Sequence, residues 1–404
     1  MHITDIQTEE VVDSRGKSSL NVTALCGEAR GSFSVPSGAS TGAGEALELR
    51  DADGGMQRAM RNIETIIKPA LLGMDATDQK AIDEKMRELD GTAQKTVLGG
   101  NAMIGVSIAC TKAASAAKGV EVFEHLHSLA DIAPSRTVPF LYMNYINGGK
   151  HAQSPLAFQE HIIVPQTENV AEAIVMGESI GGKLSEIIGE TYGREVANSC
   201  GDEGGYVIPE SKPDAPFALL VRAIADAGYE DRVRLATDVA ASSFYENGSY
   251  KIGDANMSAD ELLALHTDLI ARFDLLSIED PFEENALADF ARLQKANSAV
   301  RIVGDDLTVT DASRIARAVG TGAIKAVIIK PNQIGTLSET LDAMHTARAR
   351  GIDCIVSHRS GETDDTFIAD LSFAFGTFGI KAGALRKRER RVKYERLAAI
   401  AHGA

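Results

Sequence analysis

The sequence predicts a (β/α)8 barrel preceded by a smaller α+β unit. From about residue 138, short apolar segments recur with helical patterns between several of them. Those segments are apolar on both faces, as strands buried under helices are. Ionisable residues stand at their ends, roughly one βα unit apart. Before residue 130 strand and helix signals mix without this rhythm, so the expected division is 1–130 and 131–404.

In the first part, Leu20, Val22 and Ala24 alternate with Asn21 and Thr23, the period of a strand. Asn101 to Lys118 is rich in alanine and stops at Gly119, which reads as a packed helix with a glycine terminator. In the second part the expected strands are Val138–Met143, His161–Val164, Val233–Thr237, Leu275–Ile278, Ile302–Gly304, Ala326–Ile329, Cys354–Val356 and Phe378–Ile380. Ser258 with Glu261, and Thr336 with Glu339, form capping boxes that open helices between strands, the second stopping at Gly351. No low-complexity linker separates the halves.

The 404 residues are 44% hydrophobic and 24% charged, ordinary for a globular chain. A net charge of −16 argues against nonspecific attraction to nucleic acid or anionic lipid. It leaves room for an anionic substrate if metal ions supply local positive charge. The N-terminus lacks a basic segment followed by an apolar one, so no signal peptide is expected. No apolar run is long enough to span a membrane. Cys26, Cys110, Cys200 and Cys354 are scattered and form no CxxC, which fits inert thiols in a reducing cytoplasm.

Asp238, Glu279, Asp305, Lys330, His358 and Lys381 each follow an expected strand. From Glu279 onward they are 26, 25, 28 and 23 residues apart. One such residue is explained by a strand ending in solvent. Six in register are not, and they converge on the C-terminal mouth of a barrel, where active sites of this fold lie. Three carboxylates suit a hard divalent cation such as Mg²⁺. No HExxH or GxxxxGK[ST] is present, which argues against a protease-type zinc site and a P-loop. Glycines flank Asp202 and Glu203 in Gly201–Gly205. Gln159-Glu160 opens a strand, and His151 follows the Gly148-Gly149 turn. Ser37–Gly42 is a small, flexible run that suits any loop, or a lid over a substrate.

Together these segments resemble the enolases (phosphopyruvate hydratases) over nearly the whole chain. The resemblance is carried by Asp13-Ser14-Arg15-Gly16, Val35–Gly42, Glu45–Asp51 and Asn147–Ala152. It continues through Gly201–Gly205, Ser277–Phe282, Gly304–Thr310, Asn332–Glu339 and Ser357–Thr363. It implies an enolase-type barrel that dehydrates 2-phosphoglycerate to phosphoenolpyruvate with two Mg²⁺ per site, in a homodimer or higher oligomer. It implies Lys330 as the base for the C2 proton and Glu203 as the acid for the C3 hydroxyl, supported by Glu160. Asp238, Glu279 and Asp305 would hold one Mg²⁺, and Ser40 in the lid the other. Arg359 and Ser360 would grip the phosphate, with Lys381, His151 and His358 completing the substrate site. Lys330 is then expected to have a lowered pKa and Glu203 a raised one. Removing one of three repelling metal-site acids could even stabilise the cation-free protein.

The resemblance is weakest beside two of these residues. Ala382-Gly383-Ala384-Leu385 follows Lys381 where the family has Thr-Gly-Ala-Pro, and Pro331 follows Lys330 where Val is usual. Any altered substrate range is therefore expected at the carboxylate end. That leaves a second reading, a paralogue resembling carboxyphosphonoenolpyruvate synthase, and a third, an inactive binding protein. The basic run Arg386–Lys393 is interrupted by Glu389, and nucleic-acid binding is not expected from it.

Overall fold

The computed structural model describes residues 1–38 and 42–403. Its strands in chain order are β1 (Asp5–Val12), β2 (Ser18–Cys26), β3 (Ala29–Ser34), β4 (Phe140–Asn147), β5 (Glu160–Pro165), β6 (Val233–Asp238) and β7 (Tyr245–Glu246). They continue as β8 (Ser249–Ile252), β9 (Ala255–Met257), β10 (Leu275–Glu279), β11 (Arg301–Gly304), β12 (Ala326–Ile329), β13 (Asp353–Ser357) and β14 (Gly379–Lys381). Strands β4, β5, β6 and β10 to β14 close into one barrel, and each of the eight expected segments is one of them. The barrel is filled by inward residues such as Phe140, Tyr142, Ile328 and Phe378. Their neighbours, such as Leu141, Val327, Ile329 and Ile380, join the larger core outside it. Burial on both faces is why these strands read as continuous apolar runs.

The barrel is not wholly parallel, because β5 runs antiparallel to both β4 and β6. The chain between β4 and β5 carries only the short turn Gly149–His151 and no crossover helix. Without a helix to carry it back across the barrel, the next strand pairs antiparallel. The consequence is chemical: the first residue of β5, not the last, lies at the mouth. Glu160 sits opposite Asn147 at the end of β4 and Asp238 at the end of β6.

Ahead of the barrel, β1, β2 and β3 form an antiparallel meander. Leu20, Val22 and Ala24 are buried on it, facing the helix Gly100–Lys118, which ends at Gly119 in the left-handed conformation. The alanines allow a close approach. A Cβ on Gly31 in β3 would lie 2.1 Å from the backbone nitrogen of Ala113, so only glycine fits there. This unit docks on the barrel helix Leu337–Arg348. Buried Asp83 accepts from the Ser338 amide at 2.8 Å and its hydroxyl at 2.7 Å, a favourable place for a carboxylate at a helix N-terminus. That helix ends at Arg348, and Gly351 turns the chain beyond it. Cys26, Cys110 and Cys354 are buried, whereas Cys200 is exposed. Among the described residues no helix is long and apolar enough to cross a membrane.

His266 gives this fold an acid sensitivity. Its ring is fully enclosed, with Nε2 at 2.9 Å from the Pro281 carbonyl, and burial pulls its pKa from 6.5 down to about 4. The folded state then binds fewer protons than the unfolded one between these values. Stability is complete above pH 6.5 and is lost as pH falls toward 4. The loss from this one imidazole is on the order of 3 kcal/mol at 1.36 kcal/mol per pKa unit. Urea unfolding of wild type and His266→Gln from pH 7 to 4.5 is expected to show a shallower decline in the variant. Parallel declines would remove His266 as a cause.

Candidate active site

The barrel brings the expected strand-end residues to one cleft. Asp238, Glu279 and Lys381 are the last residues of β6, β10 and β14, while Asp305, Lys330 and His358 directly follow β11, β12 and β13. Glu279 stands beside Asp238 in register, and Ser357 beside Lys381. His151, Glu160, Glu203, Arg359 and Ser360 line the same cleft, brought there by the start of β5 and by three loops. Of these residues Lys330 is partly buried and the rest are buried. Ser40, the remaining expected ligand, lies outside the described residues.

Lysines neutralise the acids. Lys381 Nζ is 2.8 Å from Glu279, 3.2 Å from Glu160 and 3.3 Å from Asp238. Burial opposes its charge, but the three carboxylates outweigh burial and hold its pKa well above the lysine range. Lys330 pairs directly with Asp305. Burial would lower the Lys330 pKa, but Asp305 outweighs it and raises it. Against Asp305 alone Lys330 is an ammonium; the lowered value is expected where bound cations offset that carboxylate. Asp305 gains the reciprocal shift, burial being outweighed by Lys330, and its other oxygen accepts from Gln333 at 2.9 Å. It is therefore a paired charge. The idea that its removal could stabilise the cation-free protein does not hold.

A hard divalent cation fits this arrangement. Glu279 has a buried oxygen, Oε1, with no hydrogen-bond partner, and its pKa is raised by burial first and the Asp238 charge second. Three carboxylates on adjacent strand ends offer the oxygen donors such a cation takes. A neighbouring acidic group, Asp280, Asp305 and Asp306, also has ligand atoms within 4.8 Å of one another. Asp280 already accepts from the amides of Asp305 at 3.0 Å and Asp306 at 2.7 Å. It is thus occupied in holding the β11 loop, which favours the Asp238, Glu279 and Asp305 set.

Opposite them, His151 stands between two acids. Its Nδ1 is 3.6 Å from Glu160 and 3.4 Å from Glu203, and His358 Nε2 is 3.3 Å from the same Glu203 oxygen. The other Glu203 oxygen accepts from Asn144 at 2.9 Å. Glu160 is pushed well above the carboxylate range by burial first and the Glu203 charge second. Glu203 departs from the expected rise. Burial pushes it up, but His151 and His358 together outweigh burial and bring it well down. Burial also lowers His358 itself to about 4, so at neutral pH that imidazole is uncharged and its share of the pull on Glu203 lapses. Of the two acids Glu160 therefore holds a proton more readily.

The third corner is cationic. Arg359 Nη1 donates to Glu45 at 2.9 Å and Asn332 at 3.3 Å. The entry to the lid run packs against it, since a Cβ on Gly38 would lie 1.9 Å from Arg359 Nη2. Ser360 Oγ is 3.3 Å from Arg15, which is itself held by Asp13 and Ser37. Strained backbone rings the mouth. Ala240, Asp280, Val309 and Thr310, in the loops after β6, β10 and β11, all have positive φ, which is costly without glycine. At Thr310 the strained residue accepts from the Lys330 amide at 2.9 Å and donates to Gln333 at 2.7 Å.

Two of the departures noted in the sequence, Pro331 and Leu385, do not line the cleft. Pro331 is buried as the first residue of the helix Pro331–Ile334, a position proline suits. It restricts Lys330 to the extended conformation observed, φ −126° and ψ 102°. Leu385 is buried against Gly177 in the helix Val170–Tyr192. Neither lines the cleft, so the expectation of change at one end of the substrate loses its support. The basic run is used internally: Arg390 and Lys393 in the helix Arg388–Gly403 are buried, and Lys393 pairs with Glu362 at 2.8 Å. The sequence reading assigned no role to Gln159, Glu45, Gln333, Asn144 or Arg390. The motifs around Glu45, Gln159 and Gln333 were visible, but their contacts are between segments far apart in the chain.

Known proteins resemble this chain over nearly its whole length. Residues 3–126 match the family model "Enolase, N-terminal domain", and residues 135–403 match "Enolase, C-terminal TIM barrel domain". The chain is 43% identical over 410 residues to an enolase of Methanopyrus kandleri, covering 98% of this chain and 95% of that one. It is 43% identical over 405 residues to an enolase of Methanocaldococcus jannaschii, with 98% and 94% covered. It is 40% identical over 420 residues to enolase B of Dictyostelium discoideum, with 99% and 94% covered.

Proposed function

The chain belongs to the enolase family, and from that premise we propose that it is a hydro-lyase converting 2-phosphoglycerate to phosphoenolpyruvate and water, reversibly. The observation that carries this reading is the convergence of Lys330, Glu203, Lys381 and three carboxylates on one buried cleft.

Lys330 Nζ takes the proton from C2. Lys381 faces the charge that builds on the substrate carboxylate and keeps it from returning to C2. Glu203 delivers a proton to the C3 hydroxyl, which leaves as water as the C2–C3 double bond forms. Glu160, raised well above the carboxylate range, stands across His151 from Glu203 and supports it. His358 completes that face. Arg359 and Ser360 bind the phosphate.

Asp238, Glu279 and Asp305 would hold Mg²⁺, with Ser40 serving a second ion. The bound cations supply positive charge that stabilises the doubly charged substrate carboxylate. Neutralising Asp305 in this way would also remove the pull that keeps Lys330 protonated. We assign residues 1–130 to the capping unit with its lid and 131–404 to the barrel. The working form is a homodimer or larger homo-oligomer in the cytoplasm, serving glycolysis.

Absorbance of phosphoenolpyruvate formed from 2-phosphoglycerate, with and without Mg²⁺, tests the reading. Mg²⁺-dependent formation is expected. No product with Mg²⁺ present, from folded protein, would overturn it. Pro331 and Leu385 do not line the cleft, so they lend the phosphonate reading no support.

A further inference from the structure

We propose that Arg390 is a positioning residue that locks His358 as a neutral donor toward Glu203. The proposal rests on the assignment of Glu203 as the acid.

Arg390 comes from the basic run that the cleft itself does not use, and its side chain is fully buried. Its Nη1 lies 2.6 Å from His358 Nδ1 and donates to the Arg359 carbonyl at 2.6 Å. Its Nη2 donates to the carbonyls of Ser360 at 2.7 Å and Asp202 at 3.1 Å. One guanidinium thus ties the loop after β13 to the loop that carries Glu203.

The contact with His358 has a chemical consequence. A guanidinium only donates, so Nδ1 facing it must present its lone pair. The proton of a neutral imidazole is then on Nε2, 3.3 Å from Glu203 Oε1, within reach of that carboxylate's charge although the two do not form an aligned hydrogen bond. The alternative tautomer would set N–H against N–H on one side and lone pair against carboxylate on the other. An imidazolium would keep the first of these clashes and add a second cation beside Arg390. Which ring nitrogen carries the proton is set by the partner of the other, and here both partners select the same form. Glu203 therefore has a fixed N–H beside it. The rigid planar fork of arginine can hold three carbonyls and the imidazole at once, which a lysine cannot.

The first test uses the intact wild-type protein. Long-range ¹H–¹⁵N correlation on histidine-labelled enzyme, with His358 assigned by its loss in His358→Gln, is expected to show the Nε2–H tautomer at pH 7. An Nδ1–H tautomer or an imidazolium would overturn the proposal, whether or not 2-phosphoglycerate is the substrate. The second test is kinetic. Arg390→Met is expected to lower kcat by about 10–100-fold, the usual cost of losing such a support. KM should move less than about threefold, because the substrate contacts remain. Arg390→Lys should recover only part of the loss. Unchanged kcat in Arg390→Met would overturn the proposal. Absence of 2-phosphoglycerate turnover in the wild type would instead count against the proposed activity, leaving the tautomer to decide this point.

Discussion

Lys330→Ala is expected to lower turnover by about 10²–10⁴-fold, the usual contribution of a positioned general base, and to reduce exchange of the C2 hydrogen to background. Lys330 is at the end of β12, fixed by Pro331 behind it and by the amide contact to Thr310. No other lysine in the cleft can replace it, because Lys381 is committed to Glu279, Asp238 and Glu160. Exchange of deuterium from C2-labelled substrate, followed by mass spectrometry, separates loss of the base from loss of later steps. Circular dichroism checks that the barrel survives. Exchange at a near wild-type rate would remove Lys330 from the role of base. In the cation-free state the variant should also be less stable, since Asp305 loses its counter-ion, and added Mg²⁺ should restore part of that loss.

Asp305→Asn is expected to weaken Mg²⁺ binding by about 10–100-fold or more and turnover with it. The amide keeps the size of the side chain but removes the charge a hard cation requires. The ion pair with Lys330 adds a second effect. An unpaired ammonium would remain beside buried groups, at a cost of up to about 3 kcal/mol, the lower end of the range for breaking a buried pair. Loss of the proton from Lys330 can relieve that cost, so thermal unfolding of the cation-free variant should be more sensitive to pH than that of the wild type. Calorimetric titration with Mg²⁺ measures the first effect. Unchanged affinity would remove Asp305 from the ligand set, and unchanged cation-free stability would show that the pair with Lys330 contributes nothing net.

Strand identity was readable because both faces of each barrel strand are buried, so Ala326–Ile329 or Leu275–Glu279 appear as apolar runs with an ionisable residue at the end. The reversed direction of β5 was not readable from its residues, since a strand buried on both faces looks alike in either direction. It followed from a missing helix between Asn147 and Glu160. That is why Glu160, at a strand start, faces Asp238 at a strand end.

The nature of the cleft was carried by the sequence itself: acids, lysines and a histidine spaced one βα unit apart have a common destination in a closed barrel, whatever the details of packing. The tertiary structure decided which charge faces which. Lys330 against Asp305, His358 against Arg390 and Glu203 against two imidazoles are contacts between segments 25 to 155 residues apart. No local periodicity encodes them. The protonation of each group depends on distances of a few ångströms in a buried site, where a neighbouring charge can outweigh desolvation and reverse a shift expected from residue type alone.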